Sequence, residues 1–444
     1  MTILKPVLKT AYIATTLACS SLVFSSSSWS QSLSAAEQMI IEQVDNNFDQ
    51  QLKFLEQTVN INSGTQNKAG VKQVGKAYKR AFDAIGMKTD WVKLPNKVNR
   101  ADHLTAKLIN GNKAKVKDIL LIGHLDTVFS KNSDFQKFER EGNIIKGPGV
   151  TDMKDGNSII VYALKALHQT KQLGQANYRV ILNSDEESIG RPIKLSRLPM
   201  VAMAKKSDYS LSFESGWQNA ASIARRGNTS WTLEVDAKRA HSSGVFSDKT
   251  GAGAIFEASR ILNGFYSQIR GESGLTFNPG VIAGGTEVLT GDKPNSFDVY
   301  GKTNIVAQKA SVRGDMRFIS NQQREAVKEK MSQIVATNLP QASANISFRD
   351  GYPAMVASEG NKNLLDIFSK LSQDMGYGGV HAFPPEKRGA GDAAFVADYV
   401  DTIDGLGASG GGSHSTREYL DVESLRVATK RTAIFLYRLS QPNS

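Results

Sequence analysis

The chain has 444 residues, of which 40% are hydrophobic and 22% are charged, and its formal net charge is +11. This length is sufficient for two domains. The lysines are dispersed instead of forming a basic stripe or a recognisable module, which excludes a nucleic-acid-binding protein. Because Cys19 is the single cysteine, disulfide bonds within the chain are excluded as well.

The first thirty residues have the three parts of a secretory signal peptide. Lys5 and Lys9 precede an apolar segment at residues 11–24, and Ser-Trp-Ser30 follows it. The apolar segment is too short to span a membrane comfortably. We therefore predict cleavage near Ser30 and a periplasmic or secreted protein without a stable membrane anchor. Thr-Leu-Ala-Cys19 leaves a lipoprotein as the alternative.

The apolar run at residues 119–122 has the pattern of a buried parallel strand, and His124 and Asp126 follow it. Side chains repeat every two residues along a strand, so these two point the same way at its carboxyl end. A metal-binding imidazole usually donates its second N–H to a carboxylate or a carbonyl. We therefore predict that His124 binds metal and that Asp126 orients it.

Two further acidic segments come next. A glycine-rich loop at residues 147–156 contains Asp152 and leads into a helix-like stretch at 159–167, while a strand-like run at 178–182 leads into three consecutive acids at 185–187. Bunched carboxylates repel one another unless a cation or proton intervenes. A solvated acidic turn is the alternative, but ligands of open α/β sheets gather at the carboxyl ends of strands. One glutamate can bind metal while its neighbour stays free as a general base.

A fourth strand-like run, at residues 209–213, ends in Glu214, and a fifth, at 402–406, leads through a glycine-rich segment to His414. Taken alone, the glycine-rich segment also fits a flexible linker. Taken together, the five segments supply a site in which one bridging carboxylate and two ligands per metal activate water near neutral pH. The nitrogen and oxygen ligands suit zinc and also admit cobalt or manganese.

Between the fourth and fifth segments, strand-like and helix-like stretches alternate over a length that suits one small domain. We predict a two-layer α+β domain at residues 224–351. It interrupts an α/β catalytic domain, formed by residues 31–223 and 352–444, that has a central, mostly parallel sheet. Residues 1–30 form the signal peptide.

In their order along the chain and in their residues, the motifs resemble those of the M20 metallopeptidase family, which includes glutamate carboxypeptidase, aminoacylase and succinyl-diaminopimelate desuccinylase. The matched pieces are Gly-His-Leu-Asp at 123–126, Gly-Pro-Gly-x-x-Asp-Met-Lys-Asp-Gly at 147–156, Asp-Glu-Glu-x-x-Gly at 185–190, the glutamate at 214 and Ser-His at 413–414. The resemblance covers nearly the whole chain after the leader. It implies a zinc-exopeptidase-like fold with an inserted lid domain, and a homodimer formed through that lid.

The resemblance also implies a role for each residue of the cluster. Asp152 would bridge two metal ions, for which the family favours zinc, and Glu186 would be the general base. In the family the peptide bond after the bridging aspartate is often cis. The remaining ligands would be divided between the two ions, with His124 and Glu214 on one and Glu187 and His414 on the other.

Three lid residues receive roles from the same resemblance. His241, in an Ala-His-Ser context, would stabilise the oxyanion in the partner's active site, or it would only fix a local turn. Asn304 and Arg317 would bind substrate, with the planar guanidinium holding a free carboxylate. Pairing of Arg317 with Asp315 is the alternative. The proline usual after the lid asparagine is absent, which puts substrate choice in doubt.

Outside the cluster, Asp392 lies in a segment that resembles the family's Gly-Gly-x-Asp-Ala motif. It either secures the wall of the site or caps the following helix. His103, His168 and His381 fall outside every motif and receive no chemical role.

The function that the resemblance implies is a dinuclear exopeptidase, which cleaves an amide bond near the free carboxylate of a small peptide through a metal-bridging water. An N-acyl-amino-acid deacylase or a desuccinylase on the same scaffold is the alternative, because function depends on the pocket. A peptide-binding module without turnover is a third reading. Such a module needs no general base at Glu186.

Overall fold

The computed structural model describes residues 33–110, 116–217, 219–293 and 295–441. The predicted signal peptide and Cys19 lie outside these ranges. Within them, none of the helices combines the length and the apolar composition that a bilayer crossing requires.

Helices and strands alternate along much of the described chain. The α-helices are α1 (Ala35–Val59), α2 (Lys68–Asp83), α3 (Lys154–Gln169), α4 (Ile193–Ala204), α5 (Ala254–Gln268), α6 (Asn321–Ala336), α7 (Glu359–Asp374) and α8 (Val422–Leu439). The strands are β1 (Lys88–Val92), β2 (His103–Leu108), β3 (Asp118–His124), β4 (Glu139–Glu141), β5 (Ile144–Lys146), β6 (Asn177–Asn183), β7 (Tyr209–Ser212), β8 (Ala220–Ala221), β9 (Gly227–Ala237), β10 (Thr276–Gly285), β11 (Glu287–Thr290), β12 (Phe297–Tyr300), β13 (Lys309–Phe318), β14 (Ala342–Asp350), β15 (His381–Ala382), β16 (Asp401–Ile403), β17 (Gly410–Gly411) and β18 (Tyr419–Asp421). Short polar side chains start several helices: Ser34 and Glu37 form a capping box at α1, and Asp421 caps α8.

The central sheet has the strand order β1-β2-β6-β3-β7-β16. Strand β3 pairs in parallel with β6 and β7, and β7 pairs in parallel with β16, whereas β1 and β2 add an antiparallel edge. The predicted α/β fold with a mostly parallel sheet is therefore confirmed. The carboxyl ends of β3, β6 and β7 meet at one edge, and the predicted metal ligands follow these ends.

Both faces of the central sheet are covered. Along β3, Ile119 and Leu121 belong to the large hydrophobic cluster that contains α1, α3 and α8, whereas Leu120 and Ile122 pack with Met200 of α4. Successive side chains of a strand point to opposite faces, so a continuous apolar run is what a strand buried on both sides requires.

A second sheet, with the order β10-β13-β9-β14, is antiparallel throughout. Its buried residues form a separate hydrophobic cluster with α5 and α6, centred on Trp231, Val312 and Phe265. These elements occupy residues 227–350 and form the predicted two-layer α+β unit. The domain boundaries at 224 and 351 remain a prediction.

A small antiparallel sheet, β17-β18-β5-β4, brings the carboxyl-terminal part of the chain to the site. The strand predicted at residues 402–406 is shorter than expected, because β16 ends at Ile403 and Gly405 turns the chain with a φ of +77°. The following hairpin, β17 to β18, contains His414 at its tip.

Candidate active site

His124 is the last residue of β3, and its side chain is buried. Its Nδ1 lies 3.0 Å from the backbone carbonyl of Asp126 and 3.4 Å from the carboxylate of the same residue. Burial disfavours a protonated imidazole, but the hydrogen bonds to Asp126 and Asp152 prevail and raise the pKa of His124 well above its usual value. The structure thus places Asp126 where it can orient His124 and leave Nε2 facing the cluster.

The carboxylate of Asp126 also holds the turn that carries the glutamates. It accepts hydrogen bonds from the backbone N–H groups of Glu186 at 3.0 Å and Glu187 at 3.1 Å, and from the Thr65 hydroxyl at 2.6 Å. Three hydrogen bonds to one buried carboxylate therefore fix Thr65 and the turn at residues 186–187 relative to the segment after β3.

Asp152 lies between the two histidines. Its Oδ1 is 3.3 Å from Nε2 of His124, and its Oδ2 is 3.2 Å from Nε2 of His414. Hydrogen bonds and charge from both imidazoles hold its pKa well below the usual range, although burial opposes them. Two oxygens directed at two different imidazoles form the arrangement expected of a bridging ligand. The peptide bond from Asp152 to Met153 is cis, as predicted.

The three consecutive acids after β6 have separate surroundings. Asp185 is buried against Arg197, at 2.5 Å, and accepts a hydrogen bond from Ser196. Glu187 approaches Nε2 of His414 at 3.1 Å. Burial raises the pKa of Glu187 to about 8, with repulsion from Asp152 adding to the effect. Only two of the three acids therefore belong to the cluster.

Glu186 and Glu214 face His124 from the other side. The ligand atoms of these three residues all lie within 4.8 Å of one another, and so do those of His124, Asp152 and Glu187. Burial and repulsion between carboxylates raise the pKa of Glu214 to about 7 and that of Glu186 well above its usual value. Distance alone does not separate Glu186 from the metal ligands, so its role as the base rests on the family resemblance.

His414 has a positive φ of 63°, which is uncommon for a residue with a side chain and is often found at functional sites. It is half-exposed, unlike the buried His124. Hydrogen bonds to Asp152 and Glu187 raise the pKa of His414 to about 11. The glycine-rich segment before it is therefore a hairpin strand directed at the site and not a free linker.

Glu418 is a site residue that the sequence analysis missed. Its buried carboxylate accepts hydrogen bonds from the backbone N–H groups of Gly149, Thr151 and Asp152, at 3.0 to 3.1 Å. These bonds fix the loop that carries the bridging aspartate. An acid four residues after His414 was the available signal.

Asp392 secures the wall of the site and does not cap a helix. Its carboxylate accepts from Arg197 Nε at 2.7 Å and from the Asn183 side chain at 2.6 Å. Since Asp185 pairs with the same arginine, a buried network joins the end of β6, helix α4 and the 392 segment. His103 is also buried, accepting from the backbone N–H of Ser184 at 3.0 Å, which is a structural role.

A cavity of about 410 Å³ opens beside the cluster. Its wall includes three predicted site carboxylates and His414, together with two arginines and an aromatic ring. These wall residues are Asp152, Glu186, Glu214, His414, Trp217, Arg225 and Arg388. Its size suits a small molecule.

The predicted lid residues do not line this cavity within the described chain. His241 and Asn304 come from separate segments but lie side by side, because the N–H of Ser242 donates to the carbonyl of Asn304 at 2.9 Å. The ring of His241 contacts the Ser243 hydroxyl at 2.8 Å. Arg317 lies on β13, where its Nε pairs with Asp315 at 2.7 Å. The roles assigned to these three residues therefore remain predictions.

The donor set fits divalent metal ions. It consists of two imidazole nitrogens and three carboxylates, which suits zinc, cobalt or manganese. Several of the carboxylates have raised pKa values, and a bound cation removes the repulsion that raises them. The residues predicted to hold two ions are His124, Asp152, Glu187, Glu214 and His414, and this assignment stays a prediction.

Comparison with known proteins agrees with this geometry. Carboxypeptidase G2 from Pseudomonas sp. (strain RS-16) is 28% identical over 382 residues, which cover 84% of this chain and 85% of that protein. A probable succinyl-diaminopimelate desuccinylase from Staphylococcus aureus (strain MSSA476) is 24% identical over 249 residues, covering 54% of this chain and 58% of that protein.

The fold is also that of a solved peptidase. The crystal structure of aminopeptidase PepT from Bacillus cereus ATCC 10987 superposes with a TM-score of 0.69 at 18% identity, covering 90% of this chain and 99% of that one. The profile of peptidase family M20/M25/M40 matches residues 120–438, which include every residue of the cluster. The solved YXEP protein from Bacillus subtilis, which is similar in fold, is a dinuclear metal-binding peptidase of family M20. The profile match over most of the chain shows that the chain belongs to peptidase family M20/M25/M40.

Proposed function

We propose that the chain is an exported exopeptidase that hydrolyses the amide bond next to the free carboxylate of a small peptide. The observation that carries the proposal is Asp152, whose two oxygens face His124 and His414 at 3.3 and 3.2 Å. Carboxypeptidase G2 is similar to this chain over most of both sequences, and this similarity supports the choice of bond. The three-part leader at residues 1–30 supports export.

The proposed mechanism would use two divalent ions, which His124, Glu214, Asp152, Glu187 and His414 would hold. When bound, the ions supply Lewis acidity toward the scissile carbonyl and acidify water at the site. We favour zinc for both positions.

Glu186 accepts the proton of the attacking water on a carboxylate oxygen and then passes it to the departing amine nitrogen. Its position is set from two sides. The carboxylate of Asp126 accepts from its backbone N–H at 3.0 Å, and the Tyr352 hydroxyl donates to its backbone carbonyl at 2.6 Å. Burial and repulsion from Glu214 raise the pKa of Glu186, which favours uptake of a proton by its carboxylate.

Three residues of the predicted lid also have roles in the proposed mechanism. We assign His241 to oxyanion stabilisation in the active site of a partner subunit, since it lies outside the cavity of its own chain among the described residues. Asn304 lies beside His241 and would enter the partner's site with it. Arg317, which pairs with Asp315, would contact the substrate from the lid.

The test is a substrate screen of the zinc-loaded protein with N-acyl dipeptides, N-acyl amino acids and the carboxamides of both. We expect cleavage of N-acyl dipeptides that end in a free carboxylate, with release of the terminal amino acid. Equal cleavage of acid and carboxamide, or no cleavage with zinc, cobalt or manganese, would contradict the proposal.

A deacylase or desuccinylase is the second candidate, and the similarity to a probable succinyl-diaminopimelate desuccinylase is the observation that favours it. The same metals and base would serve both reactions, because the scaffold leaves the choice of acyl group to the pocket. Cleavage confined to N-acyl amino acids in the same screen would select this candidate.

A further inference from the structure

Two arginines line the cavity beside the metal cluster, and they differ in how their charges are balanced. The Nε of Arg225 is bound by the carboxylate of Asp404, and its Nη1 donates to the carbonyl of Gly389 at 2.8 Å. Arg225 is buried and paired. Its contacts hold the backbone directly after the second arginine, Arg388.

Arg388 has no such counter-ion. Its Nη2 donates to the backbone carbonyl of Ser215 at 2.7 Å, while its Nε is buried without a hydrogen-bond partner. Among the residues that the structure describes, no carboxylate lies within 4.0 Å of its guanidinium, the distance that defines the ion pairs found elsewhere. Of the two arginines, only Arg225 therefore has an ion pair within the part of the chain that the structure describes.

A partly buried guanidinium without an ion pair is less stable than one that pairs with an anion. Burial and the neighbouring charge of Arg225 lower the pKa of Arg388. A buried polar group without a partner also loses the hydrogen bond that water would have provided. A carboxylate in the cavity would form an ion pair with Arg388 and accept hydrogen bonds from its guanidinium. Guanidinium is the side-chain group best shaped for that contact.

We propose that Arg388 binds the free carboxylate of the substrate and thereby selects substrates that end in one. The inference rests on the proposed exopeptidase function and deepens it, because it places carboxylate recognition in the same cavity as Asp152, Glu186 and Glu214. Arg317, the residue predicted for this task, lies on β13 and is already paired. A carboxylate held at a fixed position in so small a cavity defines which amide bond reaches the cluster.

The kinetic test compares Arg388→Gln and Arg388→Lys with the wild type on one N-acyl dipeptide and its C-terminal carboxamide. For the free acid, we expect Arg388→Gln to lower kcat/KM about tenfold to a hundredfold, the usual effect of losing a charge-assisted hydrogen bond. Arg388→Lys keeps the charge but lacks the planar guanidinium. Its kcat/KM for the free acid should lie between the values of the wild type and Arg388→Gln. The low activity on the carboxamide should not change.

Arg417→Gln is the matched control, because it removes the same charge from an exposed position in the neighbouring hairpin. Its kcat/KM for the free acid should equal that of the wild type. A loss in Arg388→Gln that is equal for acid and carboxamide would assign the residue a structural role through Ser215 and overturn the inference. An unchanged kcat/KM for the acid would overturn it as well.

A binding measurement separates this inference from the proposed function. Calorimetry with N-benzoylglycine and N-benzoylglycinamide on the zinc-loaded protein requires no turnover. We expect the acid to bind the wild type at least tenfold more tightly than it binds Arg388→Gln, and the amide to bind both equally. If the wild type cleaves no amide but this difference appears, the proposed function fails and the carboxylate site stands. If the acid binds both proteins equally, the inference fails even where the enzyme is active. Should Arg388→Gln not fold, Arg388→Lys is compared in the same way.

Discussion

Neighbouring acids at the end of β6 have different partners, and these partners decide what each acid does. Asp185 is neutralised by Arg197 at 2.5 Å, whereas Glu187 faces His414 and Glu186 faces His124 and Glu214. The carboxylate of Asp126 accepts hydrogen bonds from the backbone N–H groups of both glutamates and so fixes the turn that carries them. The role of each carboxylate therefore depends on the charged or imidazole side chain that it contacts.

The first prediction concerns Glu186→Gln. The amide keeps the shape of the side chain but cannot accept the proton of the attacking water, so turnover should fall about a hundredfold to ten-thousandfold. Metal content, measured by inductively coupled plasma mass spectrometry, should equal that of the wild type. Turnover at the wild-type rate would remove Glu186 from the mechanism, and loss of one ion would make it a ligand.

The second prediction concerns Glu418→Gln. Glutamine offers one acceptor oxygen where three backbone N–H groups need acceptors, and its own N–H₂ group would face one of these donors. The loop carrying Asp152 should loosen, and the affinity for metal should fall about tenfold to a hundredfold, as for other residues that orient metal ligands.

Glu423→Gln is the control for that change, because Glu423 is an exposed acid in the first turn of α8. Its metal affinity, measured by competition with a chelating dye, should match the wild type. Saturating zinc should restore most of the turnover of Glu418→Gln. Unchanged metal affinity in Glu418→Gln would show that its contacts do not position Asp152.

At the scale of elements, helix α3 lies directly under the site. A β-carbon at Gly156 would lie 2.0 Å from the backbone carbonyl oxygen of Phe213, the residue before Glu214. A shift of the helix or of the end of β7 to relieve this contact would also move a predicted ligand. The close approach explains why glycine follows the Asp-Met-Lys-Asp motif.

We therefore predict that Gly156→Ala lowers the free energy of unfolding by about 1 to 3 kcal/mol, as overpacking does elsewhere, and that it weakens metal binding. Gly174→Ala is the control, since no atom lies within 4 Å of the corresponding position. Thermal unfolding with and without zinc measures both effects. A Gly156→Ala protein as stable as Gly174→Ala would contradict the packing argument.

The sequence predicts the strand ends well, because an apolar run followed by an acid or histidine is a local pattern. It therefore predicts β3, β6 and β7 and the ligands after them. It does not predict Glu418, whose partners lie more than 260 residues away and are reached only because β18 pairs with β5. The position of Arg388 in the cavity also cannot be read from local sequence, since it depends on contacts with Arg225 and with the backbone of Ser215.

At the scale of the whole molecule, helix α5 and the loop that follows His241 expose apolar side chains. Phe246 and Phe256 pack edge to face with 69% and 54% of their surfaces exposed, and Ile255 lies beside them on α5. Such exposed apolar groups are typical of interaction surfaces. They support the proposal of a homodimer in which each lid contributes His241 to the other subunit. Sequence patterns within one chain do not specify such an arrangement between chains.

Mixing two inactive variants tests this arrangement. A dimer of one His241→Ala subunit and one Glu186→Ala subunit contains one site with both residues intact, so random mixing should restore about a quarter of wild-type activity. Each variant alone should stay inactive at the same protein concentration. Absence of recovery, once mixed dimers are confirmed by native mass spectrometry, would place His241 outside the partner's site.

The most direct measurement of the central claim is metal stoichiometry together with amide hydrolysis on one preparation of the wild type. We predict two divalent ions per chain, loss of both ions and of hydrolysis after chelation, and recovery of hydrolysis only as the second equivalent of zinc binds. Hydrolysis that persists in the chelated protein, or that is complete with one equivalent, would contradict a site bridged by Asp152.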